Sequence, residues 1–256
     1  MTIVFDTYVP GGSLLHRLDP RVKLWGVMLA LTLAFLLPDL LSQAVFIVAI
    51  HAVVLVSGIS WRVLVRVWRQ MAILLVLIMA LQPFFRPHGA LLVAIGPLRL
   101  TMGGLEEALR LAMRAVGIAF AMAALLFTTE HNALIRALVR LGLPYTWGLT
   151  VSLALRFLPA IQSLFRAVRD AQAARGWVAE GNLIRRFREY IPVLVAVMIG
   201  TLRMSDQLTL SLAARGLETM QRRTTWRDLH MRWHDWSVLI LTSLGFGAFI
   251  LWRFGL

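Results

Sequence analysis

The residues best placed to do chemistry in this chain are two arginines in identical settings. Ala173-Ala174-Arg175-Gly176 and Ala213-Ala214-Arg215-Gly216 are the same tetrapeptide, 40 residues apart, and each closes a long helical pattern. A glycine after the last helical residue takes the left-handed conformation that stops a helix, and a cation in the last turn suits the negative end of the helix dipole. Each guanidinium is thereby presented at a blunt helix tip, well suited to forking onto a carboxylate in a partner's groove. One copy would pass for an ordinary helix cap in a chain rich in Ala, Arg and Gly. Two copies closing two consecutive long helices point to docking.

Signs of other chemistry are missing. The sequence offers no Gly-x-Ser-x-Gly, no His-x-x-x-His pair on a helix, no phosphate-binding Gly-x-x-x-x-Gly-Lys-Ser/Thr loop and no pair of membrane-embedded carboxylates. The expectation is a protein with no catalytic residue, no metal ligand and no cofactor. The intramembrane acids and broken helices of a self-sufficient ion-coupled transporter are not seen either.

Composition sets the solvent in which such tips must be held. The chain has 256 residues, 59% of them hydrophobic, a mean hydropathy of +0.75 and 15% charged residues, against about 25% charged in an ordinary soluble domain. The apolar residues fall in long uninterrupted blocks, the signature of lipid-facing helices. The formal net charge is +13, and Lys23 is the only lysine, so the excess is almost entirely arginine. With no interleaved aromatic stacking platform, that excess reads as the cationic bias of cytoplasmic loops, with the lipid bilayer and not nucleic acid as partner. There is no cysteine. Residues 1–19 lack the apolar core of a cleavable signal peptide, so the first span is expected to serve as its own insertion signal.

Asp19-Pro20 reads as an N-cap followed by proline at the first helical position, starting a span that runs to Leu37. Pro38-Asp39 breaks it, and a second apolar run from Leu40 to Ile59 returns, with His51 as its one ionisable group, expected to be neutral and bonded to a helix neighbour. Arg62, Arg66 and Arg69, interleaved with Trp61 and Trp68, form an interfacial belt before a third span from about Met71 to Phe85. Residues 88–103 suit a loop with a little strand. A fourth span follows Glu106 and Glu107, with Glu106 able to pair with Arg110, and Ala115–Thr129 is uncharged. The last span is Trp236–Trp252.

Residues 130–235 decide the topology. Leu141–Leu155 and Ile191–Leu202 are apolar enough for two further spans, but a hairpin built from them would place Arg166, Arg169, Arg175, Arg185, Arg186 and Arg188 outside, against the positive-inside tendency. Both stretches are therefore expected to be long amphipathic helices at or just below the cytoplasmic surface. The expected fold is all-α: a polytopic membrane protein of about five transmembrane helices with a cytoplasmic coupling section. Its parts are a four-span region over 1–129, coupling helices over 130–235 and a last span over 236–256. The cations Arg17, Arg21 and Lys23 set the N-terminus inside, in the cell (inner or plasma) membrane.

The chain resembles the transmembrane T component of energy-coupling factor (ECF) transporters. The resemblance rests on Tyr8-Val9-Pro10-Gly11-Gly12-Ser13 with His16-Arg17-Leu18-Asp19-Pro20-Arg21-Val22-Lys23, Gly104-Leu105, Thr128-Thr129, Arg156-Phe157-Leu158-Pro159, Arg203, both Ala-Arg-Gly ends, and Arg222-Arg223-Thr224 with Asp235. Their order and spacing cover nearly the whole chain. The resemblance implies a scaffold between a substrate-binding membrane protein (the S component) and two ABC-type ATPase subunits (A components), importing a vitamin or a metal ion. It further implies that Ala174, Arg175 and Gly176 dock one ATPase, that Ala214, Arg215 and Gly216 dock the other, and that the two levers, residues 145–176 and 183–216, cross. Pro159 and Pro192 should bend these levers, and Met198, Met204 and Met220 would give an adaptable surface or core.

The alternative from another class is a stand-alone seven-span permease or channel, with a membrane-embedded enzyme third. A single cysteine introduced by Gly181→Cys separates the first two. Membrane-impermeant thiol reagents should label it only from the cytoplasmic side, and labelling from outside overturns the lever topology.

Overall fold

The structure is a computed structural model that describes residues 8–85, 89–95, 98–177, 182–216 and 229–255. Its elements, in order, are helices α1 (Leu14–Arg17), α2 (Pro20–Leu36), α3 (Leu40–Val56) and α4 (Trp61–Phe85), strands β1 (Leu91–Ile95) and β2 (Leu98–Thr101), then helices α5 (Met102–Thr128), α6 (His131–Arg140), α7 (Tyr145–Ala174), α8 (Leu183–Ala214) and α9 (Trp233–Phe254). The protein is an all-α polytopic membrane protein. The chain divides into two compact units, one drawn from Met1–Gly142 with Leu229–Leu256, the other from Leu143–Asp228.

In the first unit α5 is the central helix, with α2, α3 and α4 packed around it. Ala108, Ala112, Val116, Phe120, Ala121 and Leu125 of α5 are all buried, a spacing that turns one broad face of the helix inward. Val116 and Phe120 join Val54, Ile59 and Leu64 in the apolar core. Two glycines on α5 permit close approach. A β-carbon on Gly117 would lie 2.7 Å from Cε1 of Phe46, and one on Gly104 would lie 2.5 Å from the carbonyl oxygen of Pro83. Pro83 sits inside α4, where the sequence reading had placed no helix irregularity. The loop expected over 88–103 contains an antiparallel hairpin, with Ala94 opposite Arg99 and Ile95 opposite Leu98.

The helix starts follow local chemistry. The Asp19 carboxylate accepts a hydrogen bond from the Arg21 amide at 2.9 Å, with Pro20 behind it at the first helical position. Thr101 caps α5 through the Gly104 amide. Arg110 pairs with Glu106 one turn earlier. Arg114 donates from Nε to the Ala34 carbonyl at 2.9 Å and lies over the Phe35 ring, so it serves as a partner for the end of α2. His51 donates from Nδ1 to the Ile47 carbonyl at 2.9 Å and packs between Trp68 and Phe120, which makes it a core residue. His230 and His234 have metal-ligand spacing, but α9 begins at Trp233 and leaves His230 outside the helix.

The units divide at Gly142 and Leu229, with α6 in the first, where it buries Ile135 and Ala137 and packs against α2. The five helices long and apolar enough to cross a membrane, among the described residues, are α4, α5, α7, α8 and α9. α3, at 17 residues, is a shorter apolar helix.

Gly104→Ala tests the α4–α5 approach. The new methyl meets backbone that has no rotamer to yield, so a loss of about 1–3 kcal/mol is expected, read as a lower thermal unfolding midpoint of the purified protein.

Candidate docking site

The site is built within the second unit, by the ends of α7 and α8. At the end of α7, Arg175 is the cap residue (φ −88°, ψ 10°) and Gly176 follows in the left-handed region at φ +85°. The Gly176 amide donates to Ala173 O at 3.0 Å and the Trp177 amide to Gln172 O at 3.1 Å, the paired bonds of a Schellman stop. At the end of α8, Gly216 has φ +74° and donates to Ala213 O at 2.9 Å, while the Arg215 amide donates to Leu212 O at 3.1 Å. Both glycines stand where a β-carbon would be strained, so each helix ends at the residue after its alanine pair.

Ala173, Ala174, Arg175, Gly176, Ala213, Ala214 and Arg215 are exposed, with Gly216 half-buried. Neither Arg175 nor Arg215 has an acidic partner among the described residues. Each is a cation at the negative end of a helix dipole, carried on small side chains that leave it accessible. Arg156 and Arg203, quoted above for the family resemblance, are also exposed, in the middle of their helices.

The helices that hold these tips pack on each other. Near the end of α7, Trp177 donates from Nε1 to Glu189 O at 2.9 Å and meets the Tyr190 ring edge to face, with centroids 5.0 Å apart. Further along, Leu164 lies against Gly200, where a β-carbon would sit 2.8 Å from Cδ2. Beyond that, Phe157 and Ile161 face Thr201, Met204, Ser205 and Leu208 across a gap of about 140 Å³. As residue numbers fall along α7 they rise along α8, so the pair is antiparallel and the two tips point to opposite ends of it. Arg215 lies about 25 residues beyond Tyr190, the position that faces the other tip, which is about 38 Å of helix. Both helices run through their prolines, Pro159 and Pro192, without a break. Met204 lies in the α7–α8 contact and Met198 is exposed; Met220, Arg222, Arg223 and Thr224 lie outside the described residues.

The N-terminal signature lies elsewhere, in the first unit, and is turned inward. His16 donates from Nε2 to Val9 O at 2.9 Å, which leaves Nδ1 to accept from the Ser13 hydroxyl at 2.6 Å. The Val9 amide donates to Phe127 O. Lys23 is buried and donates to Thr128 O at 2.8 Å and Thr129 Oγ1 at 3.2 Å. The Asp19 amide donates to Asp235 Oδ1 at 2.8 Å, and Asp235 Oδ2 accepts from the Arg232 amide at 2.8 Å. The signature is a clamp inside the protein. Asp235 is the member whose role the sequence reading missed, for its partner is 216 residues away and only its place in the resemblance drew attention to it.

Long apolar helices, a buried polar clamp and a helical pair ending in two accessible guanidinium tips together define a polytopic helical membrane protein. A family model described as "CbiQ: Cobalt transport protein" matches residues 11–226. The chain is 31% identical to the energy-coupling factor transporter transmembrane protein EcfT of Thermosediminibacter oceani, covering 98% of each protein. It is 29% identical to the EcfT of Streptococcus equi subsp. equi, over 97% of this chain and 96% of that one. A putative ABC transporter ATP-binding protein of Bifidobacterium longum is 36% identical over 88% of this chain, which spans 30% of that longer protein. The chain belongs to the CbiQ family, as an EcfT-like transmembrane component of an energy-coupling factor transporter.

The clamp makes a prediction distinct from the tips. Lys23→Met removes the donor to a buried carbonyl and takes a buried cation away from the Asp19 and Asp235 carboxylates, so the protein should lose at least about 1–3 kcal/mol of stability. A thermal midpoint equal to wild type would show that the clamp does not hold the helix ends.

Proposed function

We propose that this chain is the non-catalytic coupling subunit of an ATP-driven micronutrient importer, joining two ABC-type ATPase subunits to a substrate-binding S component. Ala174, Arg175 and Gly176 dock one ATPase, and Ala214, Arg215 and Gly216 dock the other, each arginine forking onto an acidic group of its partner. The observation that carries this reading is the pair of matching, accessible tips, without an acidic partner among the described residues, at opposite ends of one antiparallel helix pair. A single partner would need only one such tip. Two tips separated by tens of ångströms suit two copies of the same partner. The name of the Bifidobacterium relative supports the choice of an ATP-binding partner.

A lever needs a polar end and an apolar body. The body of α8 exposes Ile191, Leu194, Val195, Met198, Ile199 and Leu202, a face suited to carrying the apolar surface of the S component. Contacts at Trp177, Leu164 and Phe157 brace the pair, so a displacement imposed on one tip by nucleotide-driven closure reaches the other helix. The cargo is a vitamin or a metal ion, recognised by the S component. In this reading residues 130–235 form the coupling section on the cytoplasmic side of the cell membrane, with the N-terminus also inside.

The length and hydropathy of α7 and α8 favour one competing arrangement, in which both cross the bilayer and the chain is a self-contained seven-span permease. The tips distinguish the two. The double variant Arg175→Ala/Arg215→Ala should fold normally, since losing a cation at a helix end costs below about 1 kcal/mol. Co-purification of the ATPases should fall, or hydrolysis should uncouple from uptake, because loss of one desolvated charge contact costs about 2–5 kcal/mol of docking energy. Unchanged transport by the double variant overturns the proposal.

A further inference from the structure

Within the first unit, α9 packs chiefly along α2, and a wedge opens between α2, α3 and α9. It holds a cavity of about 770 Å³ whose lining includes Gly26 and Leu33 of α2, Val45 and Phe46 of α3, and Gly245 and Phe246 of α9. A second cavity of about 360 Å³ shares Gly26, Ala30 and Thr242 with it and continues towards Lys23. The two form one apolar groove along α2.

The glycines in this groove are not explained by the chain itself. At Gly104, Gly117 and Gly200 an added β-carbon would meet a neighbour at 2.5–2.8 Å, so packing requires glycine there. At Gly26 and Gly245 it would meet nothing within 4 Å. Glycine in a helix interior costs about 1 kcal/mol relative to alanine, and here that cost has no intramolecular return. A side chain at either position would narrow the groove.

The groove's depth and its rim say what fits. Asp19 lies against Asp235 and Trp25 against Ser243, so α2 and α9 run parallel, and that register brings Arg253 level with the end of α2 at Leu36. Phe249, one turn before Arg253, lines the larger cavity together with Asp39, so a carboxylate and a guanidinium stand at the same end. Both are exposed, and neither has an ion-pair partner among the described residues. A carboxylate beside a guanidinium complements an ammonium beside a phosphate. A membrane-spanning helix would displace about 2,000 Å³, far more than the groove holds, whereas one hydrocarbon chain is thin enough to lie in it.

We infer that this groove binds a phospholipid with an amine headgroup, one acyl chain lying along Gly26, Leu33 and Phe246 and the headgroup held between Asp39 and Arg253. The lipid fills the wedge on the side of α9 that the protein leaves open, and so supports the last span against α2 and α3. This depends only on the chain spanning a membrane, and not on the docking role of the tips.

The test uses the full chain with its partners, reconstituted in vesicles of phosphatidylethanolamine and phosphatidylglycerol. A phosphatidylethanolamine probe with a diazirine in its acyl chain is irradiated and its adducts are mapped. Leu33, Val45 and Phe246 should label several-fold above Ile73 and Val76, which face outward on α4. Gly26→Leu/Gly245→Leu should reduce that labelling to the α4 level while the helix content is retained. Should those leucines disturb folding, Asp39→Asn/Arg253→Gln changes only the exposed rim. It should lower the preference for the ethanolamine probe over a glycerol-headgroup probe by about two- to fivefold, as two exposed charge pairs would. Labelling equal to that of α4, unchanged labelling in the filled groove, no change in headgroup preference, or crosslinks from the groove to a partner protein or a second copy of this chain would each overturn the inference.

Discussion

The ammonium of Lys23 meets the last carbonyl of α5, and the first unit depends on that contact. A helix that ends inside a membrane protein leaves carbonyls and amides that lipid cannot satisfy. Thr128 closes α5, and its carbonyl accepts from Lys23, one turn into α2. The amide of Asp19 just before α2 is satisfied by Asp235, whose other oxygen satisfies the Arg232 amide at the start of α9. The end of α5 and the start of α2 are thereby closed by side chains of α2 and α9, the start of α9 by its own Asp235, and the N-terminal segment is fastened to the same place through Val9 and His16. A cation at the end of one helix and carboxylates at the start of two others are also the arrangement that the helix dipoles favour.

The second unit solves the same problem in the opposite way. Its helices end in the open, and left-handed glycines turn the last amides back onto their own carbonyls. With the backbone satisfied locally, the side chains of Arg175 and Arg215 are not needed to hold the helix ends and stand exposed. The chain therefore uses polar contacts internally where helix ends are enclosed, and offers them outward where helix ends are exposed. Trp177 belongs to both schemes: its amide completes the stop of α7 while its indole reaches α8.

Glycine has three separate uses in this protein. At Gly176 and Gly216 it permits the backbone to reverse hand. At Gly104, Gly117 and Gly200 it lets neighbouring helices come close, as small residues do in membrane interiors generally. At Gly26 and Gly245 it leaves open space in the groove beside α9. The residue type is the same in all three, and its surroundings alone distinguish them.

Everything local was determined by the sequence. The helical, membrane-spanning character follows from long apolar blocks, the start of α2 from Asp19-Pro20, the Glu106–Arg110 pair from its spacing, and both lever ends from an arginine followed by glycine, because each depends on residues within one or two turns. The tertiary structure decided what depends on separation in the chain: that Asp235 completes a cap begun at Asp19, that α6 belongs with α2, that α7 and α8 run antiparallel so that their tips part, and which glycines are packed and which open. Local hydrogen bonding and hydropathy carry no information about which distant segment will supply the missing partner. In a bilayer every enclosed polar group must find one, so that choice organises the fold.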